Sequence, residues 1–100
     1  MSITTSKSAD GGVLTIRIQG RFDFSSHQEF RDSYENNENV KEYLIDMKET
    51  TYLDSSALGM LLLLRDFAGG DHANVSSANC NSDVKKILTI SNFEQLFAIK

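Results

Sequence analysis

One hundred residues with 40% hydrophobic and 24% charged side chains make up one small folded domain and exclude a disordered chain. Fourteen acidic residues against ten basic ones leave a formal charge of −4, which argues against nucleic-acid binding and against attraction to anionic lipid, since both need clustered Lys and Arg. Cys80 is the sole cysteine, so neither an intrachain disulfide nor a cysteine zinc site can form. With no signal-like stretch in Met1 to Lys7, a cytoplasmic protein is expected.

Leu14, Ile16 and Ile18 alternate with Thr15, Arg17 and Gln19, the period-two pattern of a half-buried strand. Asp10-Gly11-Gly12 ahead of it is a turn signal, which makes residues 3–8 the first arm of a hairpin. Gly20 is expected to break the strand. Arg21-Phe22-Asp23-Phe24 then leads to Ser25-Ser26, a pair suited to capping a helix from His27 to about Asn36 with Phe30 and Tyr34 on one face. Asn36, Asn37 and Asn39 end that helix.

Tyr43 to Met47 reads as a central strand buried on both faces, and Lys48 to Tyr52 as a polar connection. Ala57 to Ala68 is apolar on nearly all sides, the mark of a buried helix, and Gly69-Gly70 stops it. Its run from Met60 to Leu64 is far short of the roughly 18 residues that span a bilayer, so no membrane insertion is expected. Asn74 to Ala78 is a weaker strand. Ser82 is placed to cap a last helix with Val84, Ile87 and Leu88 on its stripe, and Leu96, Phe97 and Ile99 supply a final short element. Strands followed by helices in this order favour an α/β mixed sheet covered by its helices.

Tyr52-Leu53-Asp54-Ser55-Ser56-Ala57-Leu58-Gly59 sets an acid and two hydroxyls on the loop that opens the most apolar helix. A helix N-terminus exposes unpaired N–H groups and about half a positive elementary charge, so it accommodates an anion such as a phosphoserine. Most Ser and Asp residues before a helix are N-caps and nothing more, worth about 1 kcal/mol, and the same residues fit that reading.

The chain also resembles a family. Leu53 to Gly59 is similar to the signature loop of STAS domains, the family that includes bacterial anti-sigma-factor antagonists, where Asp-Ser-Ser or Asp-Ser-Thr precedes Gly or Ala, an aliphatic residue and Gly. Gly20-Arg21-Phe22-Asp23 resembles the family's second turn, a Gly and an Asp separated by two variable residues. Tyr43 to Met47 sits where the family has its central strand, and Ser82 to Phe97 resembles its last conserved region. Ala57 stands where Gly is commoner, and the chain stops at Lys100, which leaves the family's final helix missing or very short.

The resemblance implies a single STAS domain over residues 1–100, with a mixed four- to five-stranded sheet and helices mainly on one face. It implies Ser56 as phosphoacceptor, with Asp54 and Ser55 beside it and Asp23 on the same partner-facing edge. It further implies a non-enzymatic anti-sigma factor antagonist. Its unphosphorylated form would bind an anti-sigma factor with serine-kinase activity, and a serine phosphatase would reset it. The alternative is a non-switching interaction subunit of a lipid-transport ATPase or signalling assembly, with Ser55 and Ser56 as caps and contacts.

Competing chemistries lack parts. A serine hydrolase needs a Gly-x-Ser-x-Gly elbow and a positioned base, whereas His27 and His72 read as surface residues. The histidines lie far apart with no ligand spacing around them, so neither metal nor cofactor is expected. Asp46 ends an apolar strand as in a response-regulator receiver, but the acidic pair that holds magnesium there is missing. Asp46 therefore reads as a strand-end residue bonded to a loop, and Cys80 as a small, partly buried hydrophobe.

Overall fold

A computed structural model describes residues 2–35, 40–70, 74–80, 82–90 and 98–99. Strands β1 (Ser2–Lys7) and β2 (Val13–Phe22) form the expected hairpin, antiparallel with Ile3 opposite Ile18 and Lys7 opposite Leu14. Its turn is closed by Asp10 Oδ1, which accepts from the Gly12 N–H at 2.9 Å and the Ser8 hydroxyl at 2.6 Å. A 3₁₀ turn (Phe24–Ser26) and helix α1 (His27–Glu35) follow, then β3 (Glu42–Asp46), β4 (Thr50–Leu53), α2 (Ser55–Phe67), β5 (Val75–Ala78), α3 (Ser82–Ile90) and β6 (Ala98–Ile99). The sheet runs β1-β2-β3-β5-β6, with β1 antiparallel and the later pairings parallel, and β4 joins it off this path on β2. This is the mixed α/β sheet expected, with one short strand added.

In-register residues of parallel strands share a face. Leu14 with Tyr43 and Ile16 with Ile45 therefore line one side with Val75, all buried, while Thr15, Arg17 and Leu44 on the other side are exposed or half-buried. The helices cover the first side. Phe30 and Tyr34 of α1, Ala57, Met60, Leu61 and Leu64 of α2, and Val84 and Leu88 of α3 complete one core with the strands. Each helix follows the i, i+3, i+4 spacing that sets one stripe against a sheet.

Several local expectations change. Tyr43 to Met47 is not buried on both faces, since Leu44 is only half-buried. Lys48 to Tyr52 is not wholly a connection, because Thr50 starts β4 and buries its hydroxyl, donating to the Ile18 carbonyl at 2.8 Å. Four residues, TTYL, carry too little alternation to announce a strand. Ser82 is the first residue of α3 rather than the residue before it. The expectations for Asn36, Asn37, Asn39, His72, Leu96 and Phe97 fall outside the described residues.

Gly20 bends β2 without ending it. Its φ of 84° lies in the left-handed region that side chains avoid, and the register of β2 shifts between Gly20 and Arg21. Strand β2 pairs with β3 from Val13 to Arg17 and with β4 from Gly20 to Phe22, the shift passing over Thr51 of β4. A β-bulge increases local twist and re-aims the chain, which here carries Arg21-Phe22-Asp23 away from β3 and onto β4.

Candidate functional site

Because Arg21 registers with Tyr52 and Phe22 with Leu53, the parallel strands β2 and β4 end side by side. Each ends in an aspartate, and each aspartate opens a helical segment. Asp54, extended at φ −111° and ψ −175°, is the N-cap of α2, its Oδ1 accepting from the Ala57 N–H at 3.0 Å. Asp23, extended at φ −135° and ψ −173°, caps the 3₁₀ turn that leads into α1, its Oδ1 accepting from the Ser25 N–H at 3.1 Å and the Ser25 hydroxyl at 2.5 Å. Asp23, two residues ahead of the expected cap pair Ser25-Ser26, thus caps the 3₁₀ turn that precedes α1, and Ser26 is fully buried.

The site residues read from sequence accordingly fall along one edge of the sheet. Asp23 and Asp54 flank it, Ser55 is exposed, and Ser56 is half-buried in the first turn of α2. The hydroxyls differ in a way that matters. Ser25 is committed to Asp23, whereas Ser55 and Ser56 make no hydrogen bond among the described residues. Asp54 alone therefore caps α2, and Ser56 presents a free nucleophilic oxygen beside unpaired helix N–H groups.

Electrostatics sharpen the picture at Asp23. The Ser25 hydroxyl foremost, with the Ser25 N–H and Arg21 adding to it, outweighs partial desolvation and holds the Asp23 carboxyl below its ordinary value. It is an anion at neutral pH. Asp46, by contrast, stands away from this edge, as the strand-end reading expected. It is buried and accepts from the Lys48 N–H at 3.0 Å, the Asn79 amide at 3.3 Å and Arg17 Nε at 3.4 Å.

Sequence reading missed three residues here. Phe24, between Asp23 and Ser25, is 69% exposed with its ring stacked on His27 at 5.5 Å between centroids. Arg21 places its guanidinium 4.5 Å from the centroid of the exposed Tyr52 ring and its Nε 3.5 Å from Asp23 Oδ2. The only sequence signal was an aromatic residue out of period, between an acid and a serine. Farther along the same helices, α2 corrects a second expectation. It is not buried all round, since Leu63 is 52% and Phe67 48% exposed. With Arg31, Tyr34 and Glu35 of α1 they line a groove of about 240 Å³.

An exposed phenylalanine, an arginine held on a tyrosine, two capping carboxylates, and two hydroxyls without a hydrogen bond among the described residues stand at the ends of β2 and β4. Among the described residues no cluster of His, Cys, Asp and Glu is arranged to hold a metal ion, and no helix is long and apolar enough to cross a membrane.

Comparison with known proteins agrees with this fold. The STAS profile described as "Mlab, STAS domain" matches residues 5–98. A STAS-domain-containing protein of Pseudomonas aeruginosa is 63% identical over 100 residues, 99% of either chain. A Thermotoga maritima structure provisionally assigned as an anti-sigma factor antagonist superposes with a TM-score of 0.83 at 13% identity, over 97% of this chain and 84% of its own. The Bacillus cell-fate determinant SpoIIAA in its phosphorylated form does so at 0.71 and 13% identity, over 99% and 91%. The profile covers nearly the whole length with both Asp-bearing turns inside it, and the chain belongs to the STAS family.

Proposed function

We propose that this protein is an anti-sigma factor antagonist that works as a phospho-switch on Ser56. The observation that carries the reading is the uncommitted Ser56 hydroxyl on the first turn of a helix already capped by Asp54. In its unphosphorylated form the loop edge, Asp23, Asp54, Ser55 and Ser56 with the exposed Phe24, binds an anti-sigma factor with serine-kinase activity. The kinase transfers the γ-phosphoryl of ATP to Ser56 Oγ. An Oγ–P bond forms, the bond to the ADP oxygen breaks, and the hydroxyl proton leaves to a kinase base.

The phosphate adds about −1.5 to −2 charges. The α2 N-terminus tolerates them, so the fold persists. The interface does not, because the phosphate must be desolvated beside the carboxylates of Asp23 and Asp54. Each 1.4 kcal/mol of that cost weakens binding about tenfold. A serine phosphatase resets the loop. In this reading residues 1–100 act as one cytoplasmic domain that binds and performs no catalysis of its own.

Two measurements test it. Mass spectrometry of the protein purified from cells is expected to place phosphate on Ser56, absent in Ser56→Ala and retained in Ser55→Ala. A pull-down with unphosphorylated protein is expected to capture a kinase-fold anti-sigma factor, lost with Ser56→Asp at unchanged circular dichroism. Phosphate only elsewhere, or capture of a transporter ATPase irrespective of Ser56, overturns the reading.

A further inference from the structure

Arg21 lies where the two loops meet, held by one group from each strand. Its guanidinium sits 4.5 Å from the Tyr52 ring centroid, on the strand that runs into the Ser56 loop, while its Nε reaches Asp23 Oδ2 at 3.5 Å. Asp23 divides its two oxygens, Oδ1 serving the cap to Ser25 and Oδ2 taking Arg21. Arg21 can leave Asp23 without uncapping the turn. Its side chain is 65% exposed, with the Tyr52 ring beneath it and solvent on its other side.

Strand register sets the turn that follows Arg21 beside the loop that carries Ser56. Asp23 and Asp54 follow in-register residues of neighbouring strands, and such strands lie about 4.8 Å apart. Ser56 is the second residue of α2, a rise of only about 1.5 Å per residue beyond the cap. A guanidinium binds a phosphate through paired, charge-assisted N–H···O bonds, stronger than a single contact with a carboxylate already shared by a cap.

We propose that Arg21 is the internal counter-charge of a phosphate on Ser56, exchanging Asp23 Oδ2 for it while staying on the Tyr52 ring. This rests on Ser56 as the acceptor. Modification then changes the surface twice. The phosphate adds charge, and Arg21 is withdrawn from Asp23, whose carboxylate is left uncompensated at the partner-facing edge. Arg21 is a positioning residue of the switch.

The test places phosphoserine at position 56 of the full chain during translation, by stop-codon suppression, so that no kinase is needed. Phosphorus NMR follows the second ionisation of the phosphate against pH. Asp23 and Asp54 act on it alike in every variant. Arg21 is expected to lower that ionisation by about half a pKa unit relative to the same phosphoprotein carrying Arg21→Gln. Arg21→Lys is expected to recover most of the lowering, and Tyr52→Leu to lose part of it. The Arg21 Nε nitrogen resonance is expected to move on phosphorylation. Superimposable titrations of the Arg21 and Arg21→Gln phosphoproteins, with an unmoved Nε resonance, overturn the proposal. Partner release by phosphoserine 56 is read separately. Release without the Arg21 shift fails this inference alone, and the shift without release fails the switch alone.

Discussion

Two serines and two aspartates with similar chemistry divide their labour by hydrogen bonding. Asp54 donates nothing and accepts the Ala57 N–H, so its oxygen carries the cap while Ser55 and Ser56 stay free. Asp54→Ala is expected to cost about 1 kcal/mol, a fall in Tm of roughly 4–8 °C for a domain of this size. Ser56→Ala is expected to stay within about 0.5 kcal/mol of wild type by thermal melting. Equal losses for the two would show that Ser56 caps α2. Phe24, exposed and out of the core, is expected to matter in the opposite way. Under the proposed function Phe24→Ala is expected to leave the melting temperature unchanged and to weaken partner binding at least tenfold in a titration, as loss of an aromatic anchor at an interface does. The Asp54-Ser55-Ser56 loop was legible from its residue types. The Phe24 and Arg21 contacts were not, since a side chain's exposure and its ring partner follow from the strand register and not from local pattern.

Among the elements, β2 decides the most, because Gly20 lets one strand serve two partners. A Cβ at φ 84° meets the following carbonyl, and Gly20→Ala is expected to lose about 1–2 kcal/mol in urea denaturation and to disturb the amide resonances of β4. Strand β5 carries the opposite kind of feature. Among the described residues the buried Ser76 and Ser77 hydroxyls have no hydrogen-bond partner, and a buried unpaired hydroxyl is destabilising. Ser77, with no exposed surface, is therefore expected to gain about 1 kcal/mol on replacement by Ala in the same denaturation experiment. Strand β2 and helices α1 and α3 were readable from periodicity, because each buries one stripe or one face, β1 from the turn that follows it, and β3 and α2 from their apolar runs. Strand β4 was not. Its place depends on pairing with Gly20 to Phe22, about thirty residues earlier in the chain.

For the molecule as a whole, Asp46 ties three segments together at the ends of β3 and β5, through the Lys48 N–H, the Asn79 amide and Arg17. Burial by itself raises its carboxyl, but these donors outweigh burial and hold it below the ordinary value. A carboxyl depressed in the folded state stabilises the fold above its unfolded value near pH 4, and that contribution is lost as pH falls through the folded value. Wild type is thus expected to lose stability on acidification below about pH 4 more steeply than Asp46→Asn in pH-dependent melting curves. Equal slopes would remove Asp46 from the account. By itself the sequence determined the class of sheet, the helix that opens on Asp54-Ser55-Ser56, and the family, because these follow from local periodicity and from short motifs that need only neighbours in the chain. Tertiary structure decided that Asp23 caps the 3₁₀ turn ahead of α1, that α2 leaves an apolar face open, and that Arg21 lies on the Tyr52 ring while Phe24 stands exposed beside the Asp23 turn. The meeting of Arg21 with Tyr52 comes from pairing β2 with β4, a contact between distant segments that no local pattern encodes.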